Sequence, residues 1–139
     1  ILRDLPLLAD LPRAWVGAAI PTLDDSVRAH FEPRAAPIPA RLALLRAFQA
    51  AGVRRCAVVQ PILPGPLDAL ADALADVAPS VSLGVLDGIQ GAAHDFAAPR
   101  YAHVTDPAWQ RGQALALRDA LLARGVDVWR GELPPDLSP

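Results

Sequence analysis

Glu32 and Arg34 stand on either side of a proline, at a spacing that could serve ligand binding. Pro33 has a nearly fixed φ, so it limits the directions in which the two charged side chains leave the backbone. The planar fork of an arginine matches the two oxygens of a carboxylate, so Arg34 could hold a carboxylate group of a ligand. The alternative is an ion pair that braces the proline-rich loop at 32–39, with Arg41 either at the surface or as a partner for Glu32.

Thr22 and Asp87 follow two apolar runs of strand length. The Thr22 hydroxyl could contact a ligand, or it could cap the helix expected after it, for which Asp24 is the other candidate N-cap. The Asp87 carboxylate could accept a hydrogen bond from a ligand hydroxyl, or it could close the glycine-containing turn at 87–91. Both positions therefore carry a binding hypothesis and a local structural alternative.

Composition excludes several other kinds of site. Cys56 is the only cysteine of the 139 residues, so this chain alone cannot form an internal disulfide or a cysteine-held iron–sulfur site. The three histidines lack the spacing of metal ligands, and no nucleophile elbow or glycine-rich phosphate loop is present. A net charge of −2 lacks the electrostatic footprint of a nucleic-acid binder. No apolar run is long enough for a membrane span and no signal peptide is visible, so we expect a cytoplasmic protein.

The elements that must position these residues alternate along the chain. Continuous apolar runs bounded by proline or glycine predict buried parallel strands, and apolar residues at spacings of three and four predict helices. The predicted strands are 15–20, 55–60, 81–86 and a possible short one at 126–129; the predicted helices are 1–11, 24–31, 39–51, 67–77 and 107–124.

This alternation predicts an α/β protein with a parallel sheet and helical crossovers. The strand spacing fits either a doubly wound sheet or part of a β/α barrel. In both cases the carboxyl ends of the strands form the working edge. That edge is where Thr22, residues 61–63 and Asp87 are expected.

Three motifs in register with these elements resemble one family. They are EPRA at 32–35, PARL at 39–42 and PILPG at 61–65. Together they are similar to the spore-photolyase-like group of radical S-adenosylmethionine proteins, and the resemblance covers residues 1–88. It implies that residues 1–91 are the C-terminal half of a partial (β/α)6 barrel, similar to a TIM barrel. Residues 92–139 would be a helical C-terminal extension packed on it.

The resemblance also implies a function. In that family, three cysteines in a loop after the first strand hold a 4Fe–4S cluster that reductively cleaves S-adenosylmethionine, and the resulting radical abstracts hydrogen from a substrate. This chain has no such loop and, with no Met, we expect it to begin inside a longer polypeptide. The implied partners are the N-terminal half of the same polypeptide, which would supply the cluster, and a substrate of unknown identity.

The residues that the resemblance assigns to cofactor binding are not acid–base catalysts. The loop at 61–63 would give the adenine apolar contact and backbone hydrogen bonds, although the same prolines could simply stiffen an ordinary loop. The implied cofactor-binding residues are Thr22, Glu32, Arg34, Pro61, Ile62, Leu63 and Asp87, with no catalytic residue and no metal ligand in this chain.

A non-catalytic α/β interaction domain is the alternative. Ala19 stands where the family usually has a serine that helps to orient the cofactor, and the cluster loop is absent. An open parallel sheet also has edges that need covering, which suits a binding module.

Overall fold

Helices join four parallel strands into one open sheet. The computed structural model describes residues 2–89 and 91–129. The strands follow chain order across the sheet, without the reversal of order found in doubly wound folds. Their bounds are β1 Trp15–Ala19, β2 Arg54–Val59, β3 Ser80–Leu83 and β4 Asp127–Val128.

Helices occupy the segments that the periodicity predicts. Asp24 caps the second helix by accepting hydrogen bonds from the backbone N–H groups of Ser26 and Val27. Gly52 lies two residues after the end of the third helix and has a φ of 70°, a conformation that glycine adopts without strain. The helices are α1 Leu5–Ala9, α2 Asp25–Phe31, α3 Ile38–Ala50, α4 Leu67–Val77, α5 Ala93–Phe96 and α6 Pro107–Ala123, with 3₁₀ turns at Leu2–Asp4 and Pro99–Thr105.

One face of the sheet carries the main core. Alternate strand residues point to opposite faces, and those on this face are apolar. They pack against α3, α4 and α6, which therefore lie on the same side of the sheet. The fully buried members of this core include Ile20, Leu45, Ala57, Val59, Leu74, Val81, Leu117 and Leu121.

The opposite face, here the open face, carries small residues in its centre. Gly17 and Cys56 are register partners there, and the ring of Trp15 meets that of Trp129 at a centroid distance of 5.4 Å. Trp15 belongs to β1 and Trp129 directly follows β4. This indole pair therefore spans the two inner strands.

A second, smaller cluster joins α2 to the segment at 93–105. The ring centroid of Phe31 lies 4.8 Å from that of Phe96 and 4.9 Å from that of Tyr101. His30 donates from Nε2 to the carbonyl oxygen of Asp95 at 2.9 Å. The cluster fixes this segment over the carboxyl ends of β1 and β2.

The helix predicted at 1–11 is a 3₁₀ turn followed by the short α1, and two further segments differ from the prediction. The third strand ends at Leu83 and not at residue 86. Its partner β2 ends just before Pro61, which has no N–H with which to extend the ladder. The segment at 92–104, predicted to be irregular, contains α5 and a 3₁₀ turn whose buried residues face α2. The turn at 87–91 includes residue 90, and the predicted extension includes 130–139; these residues lie outside the described part.

Among the described residues, no helix combines the length and the apolarity needed to cross a membrane.

Candidate functional site

A cavity of about 210 Å³ opens at the carboxyl ends of β1 and β2. We call it the edge cavity. Its floor is the end of the sheet, and its outer wall is the C-terminal end of α2 together with residues from the segment at 86–96. The described residues that line it are Ala19, Pro21, Phe31, Glu32, Gln60, Pro61, Leu63, Leu86, Gly88, Ile89, Ala92 and Phe96.

Glu32 is the acidic side chain of this lining, and Arg41 holds it in place. Arg41 donates from Nη2 to Glu32 Oε2 at 2.7 Å. The same guanidinium donates from Nη1 to the carbonyl oxygen of Ala19 and from Nε to that of Ala36. Arg41 is buried while the Glu32 side chain remains 32% exposed, so the carboxylate is oriented and still accessible from the cavity.

A second arginine stabilises the loop that carries Glu32. Arg28 donates to both carboxylate oxygens of Asp25, and it also donates to the carbonyl oxygens of Glu32 and Ala35. The hydrogen bond from Arg28 and one from the backbone N–H of Ile38 lower the pKa of Asp25. The loop at 32–37 is thereby tied to α2 and to the first turn of α3.

Thr22 ties the loop after β1 to the loop after β2. Its hydroxyl donates to the carbonyl oxygen of Pro64 at 2.7 Å and accepts from the backbone N–H of Asp24 at 3.0 Å. Thr22 is 1% exposed, so this hydroxyl serves the two loops and does not reach the edge cavity. Asp24, not Thr22, is the N-cap of α2.

Gln110 of α6 joins the remaining loops at this edge. Its side chain is buried and donates from Nε2 to the carbonyl oxygens of Ile62 and Val104, both at 3.0 Å. Its Oε1 accepts from the backbone N–H of Leu86 at 3.1 Å. One amide therefore fixes the segments that follow β2 and β3.

The structure brings three of the seven residues named from the sequence to the edge cavity: Glu32, Pro61 and Leu63. Ile62 is fully buried and points into the main core. Arg34 and Asp87 are exposed and lie outside the lining; Asp87 is four residues beyond the end of β3. The ion pair of Glu32 is formed with Arg41 and not with Arg34.

Sequence reasoning missed Gln60, Phe31 and Phe96. Gln60 has a recognisable signal, because it is the polar residue that ends the apolar run of β2 immediately before Pro61. The two phenylalanines lie on α2 and α5, and their approach to the same cavity depends on tertiary contacts. No local sequence pattern indicates that the two rings lie at the same cavity.

The described residues do not fit an iron–sulfur cluster. No group of three or more His, Cys, Asp or Glu side chains among residues 2–89 and 91–129 is arranged to hold a metal ion. Burial raises the pKa of the Cys56 thiol to about 11, so it stays protonated at neutral pH. Iron is ligated by the thiolate form of cysteine, so the protonated thiol of Cys56 is not suited to ligate it.

Comparisons with family models, curated proteins and solved structures found no match to this chain.

Proposed function

We propose that this chain forms the adenosyl-binding part of a radical S-adenosylmethionine enzyme, as the C-terminal half of a partial (β/α)6 barrel. The position of the edge cavity carries the proposal. It lies at the carboxyl ends of parallel strands, where β/α barrels bind their ligands. Glu32, Pro61 and Leu63, which the family resemblance assigns to cofactor binding, are in its wall.

The order of the strands supports the barrel assignment. Four consecutive parallel strands with their helices on one side are the arrangement of a barrel wall, whose other face looks inward. In this proposal, preceding polypeptide pairs with the open edge of β1 and supplies the three-cysteine loop. The chemistry that the bound cofactor supplies is one-electron cleavage of its sulfur–carbon bond, which starts hydrogen abstraction from a substrate.

The chain's own residues bind and orient the nucleoside. Pro61, Leu63 and Phe31 give an apolar wall that contacts the ring system and excludes water. Glu32, held by Arg41, accepts hydrogen bonds from the sugar hydroxyls. The volume of about 210 Å³ is below the ~300–1,000 Å³ of pockets for whole drug-sized ligands, which suits part of the cofactor.

The direct test is a titration of the chain with S-adenosylmethionine and with adenosine, followed by ¹H–¹⁵N NMR. Both ligands are expected to shift resonances at 19–21, 31–32 and 60–63. Glu32→Gln should weaken adenosine binding by about tenfold, since it removes a charged hydrogen-bond acceptor. The control is Asp76→Asn, which neutralises an exposed carboxylate that also pairs with an arginine. Shifts elsewhere, or none, would rule the proposal out.

The enzymatic part needs the longer polypeptide. Upstream sequence is expected to encode a three-cysteine loop about one hundred residues before Thr22, an estimate based on the spacing of barrel strands. The protein that includes it, reconstituted with iron and sulfide under reducing conditions, should release 5′-deoxyadenosine. If the loop is missing and the edge cavity binds no adenosyl compound, the open edge of β1 favours the interaction domain instead.

A further inference from the structure

The edge cavity has two polar side chains among its described lining residues, Glu32 and Gln60. Arg41 engages the first of them. Gln60 is exposed, and its carboxamide makes no hydrogen bond to any described residue, so its acceptor oxygen and its NH₂ group are both available to a ligand. A carboxamide without a protein partner, beside apolar lining residues, can select a ligand by its hydrogen-bonding edge.

Gly84 leaves the space that this carboxamide occupies, because it has no side chain. A Cβ added at Gly84 would lie 2.5 Å from Cδ of Gln60 and 2.8 Å from its Oε1. The backbone N–H of Gly84 donates to the carbonyl oxygen of Val59 at 3.0 Å, which fixes the glycine beside β2. The φ of Gly84 is not positive, so the glycine provides space for the Gln60 side chain and not a special backbone conformation.

We propose that Gln60, resting on Gly84, reads the amino edge of an adenine in the edge cavity. A carboxamide pairs with adenine by accepting from the exocyclic N6 amine and donating to N7. Hypoxanthine presents two acceptors at the same edge, O6 and N7, so one of the two hydrogen bonds is lost and two oxygens oppose each other. The inference rests on the proposed function and adds the residue that sets its base specificity.

The test compares the dissociation constants of adenosine and inosine for five forms of the chain, which are the unmodified chain, three single variants and one double variant. The unmodified chain is expected to bind adenosine about tenfold more tightly than inosine, the discrimination typical of one bidentate contact. Gln60→Leu should remove the preference. Gly84→Ala should also remove it, because the new Cβ displaces the carboxamide. Adding Gly84→Ala to Gln60→Ala should change nothing further, since no carboxamide remains to be displaced.

Gln49→Leu is the matched control, because Gln49 is an exposed glutamine of α3 outside the cavity. It should keep the full preference for adenosine. Equal binding of the two nucleosides by the unmodified chain, or a preference that survives Gln60→Leu, would overturn the role of Gln60 and leave the proposed function standing. Failure of the unmodified chain to bind either nucleoside would overturn both.

Discussion

The buried guanidinium of Arg41 joins three parts of the chain. It binds the carbonyl oxygen at the end of β1, a carbonyl oxygen in the loop before α3, and the carboxylate of Glu32. Each of these acceptors would lose a charged donor if the guanidinium were removed. At the scale of single residues, this is the contact on which both the edge cavity and its acidic group depend.

Arg41→Met is therefore expected to lower the free energy of unfolding by about 1–3 kcal/mol, since three partly buried acceptors lose a charged donor. Urea denaturation measures the change. Arg46→Met removes the exposed ion pair between Arg46 and Asp76 and should cost less than about 1 kcal/mol. Equal losses for the two variants would show that Arg41 is not structurally important.

The buried thiol of Cys56 makes the free energy of unfolding depend on pH in a predictable direction. Burial raises the pKa of its thiol to about 11 in the folded chain, above the ordinary value of 9.0. Between pH 9 and 11 the unfolded chain loses this proton more readily than the folded chain, so stability should fall as pH rises. Denaturation at a series of pH values, compared with Cys56→Ala, measures this contribution. A variant with the same slope as the unmodified chain would contradict it.

The sequence predicted the roles of some of these side chains and not of others. It named Glu32 and offered Arg41 as its possible partner, which the structure confirms. The sequence could not show that Arg34 lies outside the cavity, because Pro33 restricts the backbone but does not determine the rotamers of its neighbours. Gln60 and Phe31 reach the cavity through the packing of separate elements.

At the scale of elements, the cap of α2 is formed by a single carboxylate. Oδ1 of Asp24 accepts from the backbone N–H groups of Ser26 and Val27 and from the hydroxyl of Ser26. The hydrogen bonds from Ser26 and Val27 lower the pKa of Asp24 below its ordinary 3.8. The cap therefore stabilises the helix that carries Phe31 and Glu32.

Asp24→Ala is expected to lower the free energy of unfolding by about 1 kcal/mol at neutral pH, the usual effect of losing an N-cap. The difference from the unmodified chain should be complete above pH 3.8 and should shrink as pH falls through the lower, folded-state pKa. Denaturation at pH 7 and at pH 3 measures it. A difference that grows at low pH would contradict the capping role.

Elements with strong local signals were the predictable ones. Asp24 at the start of α2 and Gly52 after α3 mark helix ends that the structure reproduces within a residue or two. The third strand was predicted three residues too long because its end is set by a neighbouring strand. The segment at 92–104 has too little periodicity to reveal its short helix and 3₁₀ turn.

At the scale of the whole molecule, the working edge is held together by Gln110, which lies on a helix beyond the last of the family-like motifs. Its amide binds backbone groups after β2, after β3 and in the 3₁₀ turn. No sequence pattern marks it, because a buried glutamine on a helix looks like any other polar position. The parallel sheet was predictable from the alternation of elements, whereas this connection was not.

Gln110→Leu should lower the free energy of unfolding by about 2–4 kcal/mol, because two buried carbonyl oxygens and one partly buried N–H lose their partner. Faster hydrogen exchange is expected at the N–H of Leu86, which loses its acceptor. Gln49→Leu, at an exposed position of α3, should stay within about 0.5 kcal/mol of the unmodified chain. Unchanged exchange at Leu86 would contradict the role assigned to Gln110.

The indole pair on the open face makes the assembled sheet optically distinctive. Two chromophores at 5.4 Å with planes at 87° couple their electronic transitions, and coupled transitions of this kind produce paired circular-dichroism bands of opposite sign. One chromophore comes from the first strand and the other directly follows the last. Such an exciton couplet requires that β1 and β4 remain joined through β2 and β3, and its disappearance during denaturation would time the separation of β1 from β4.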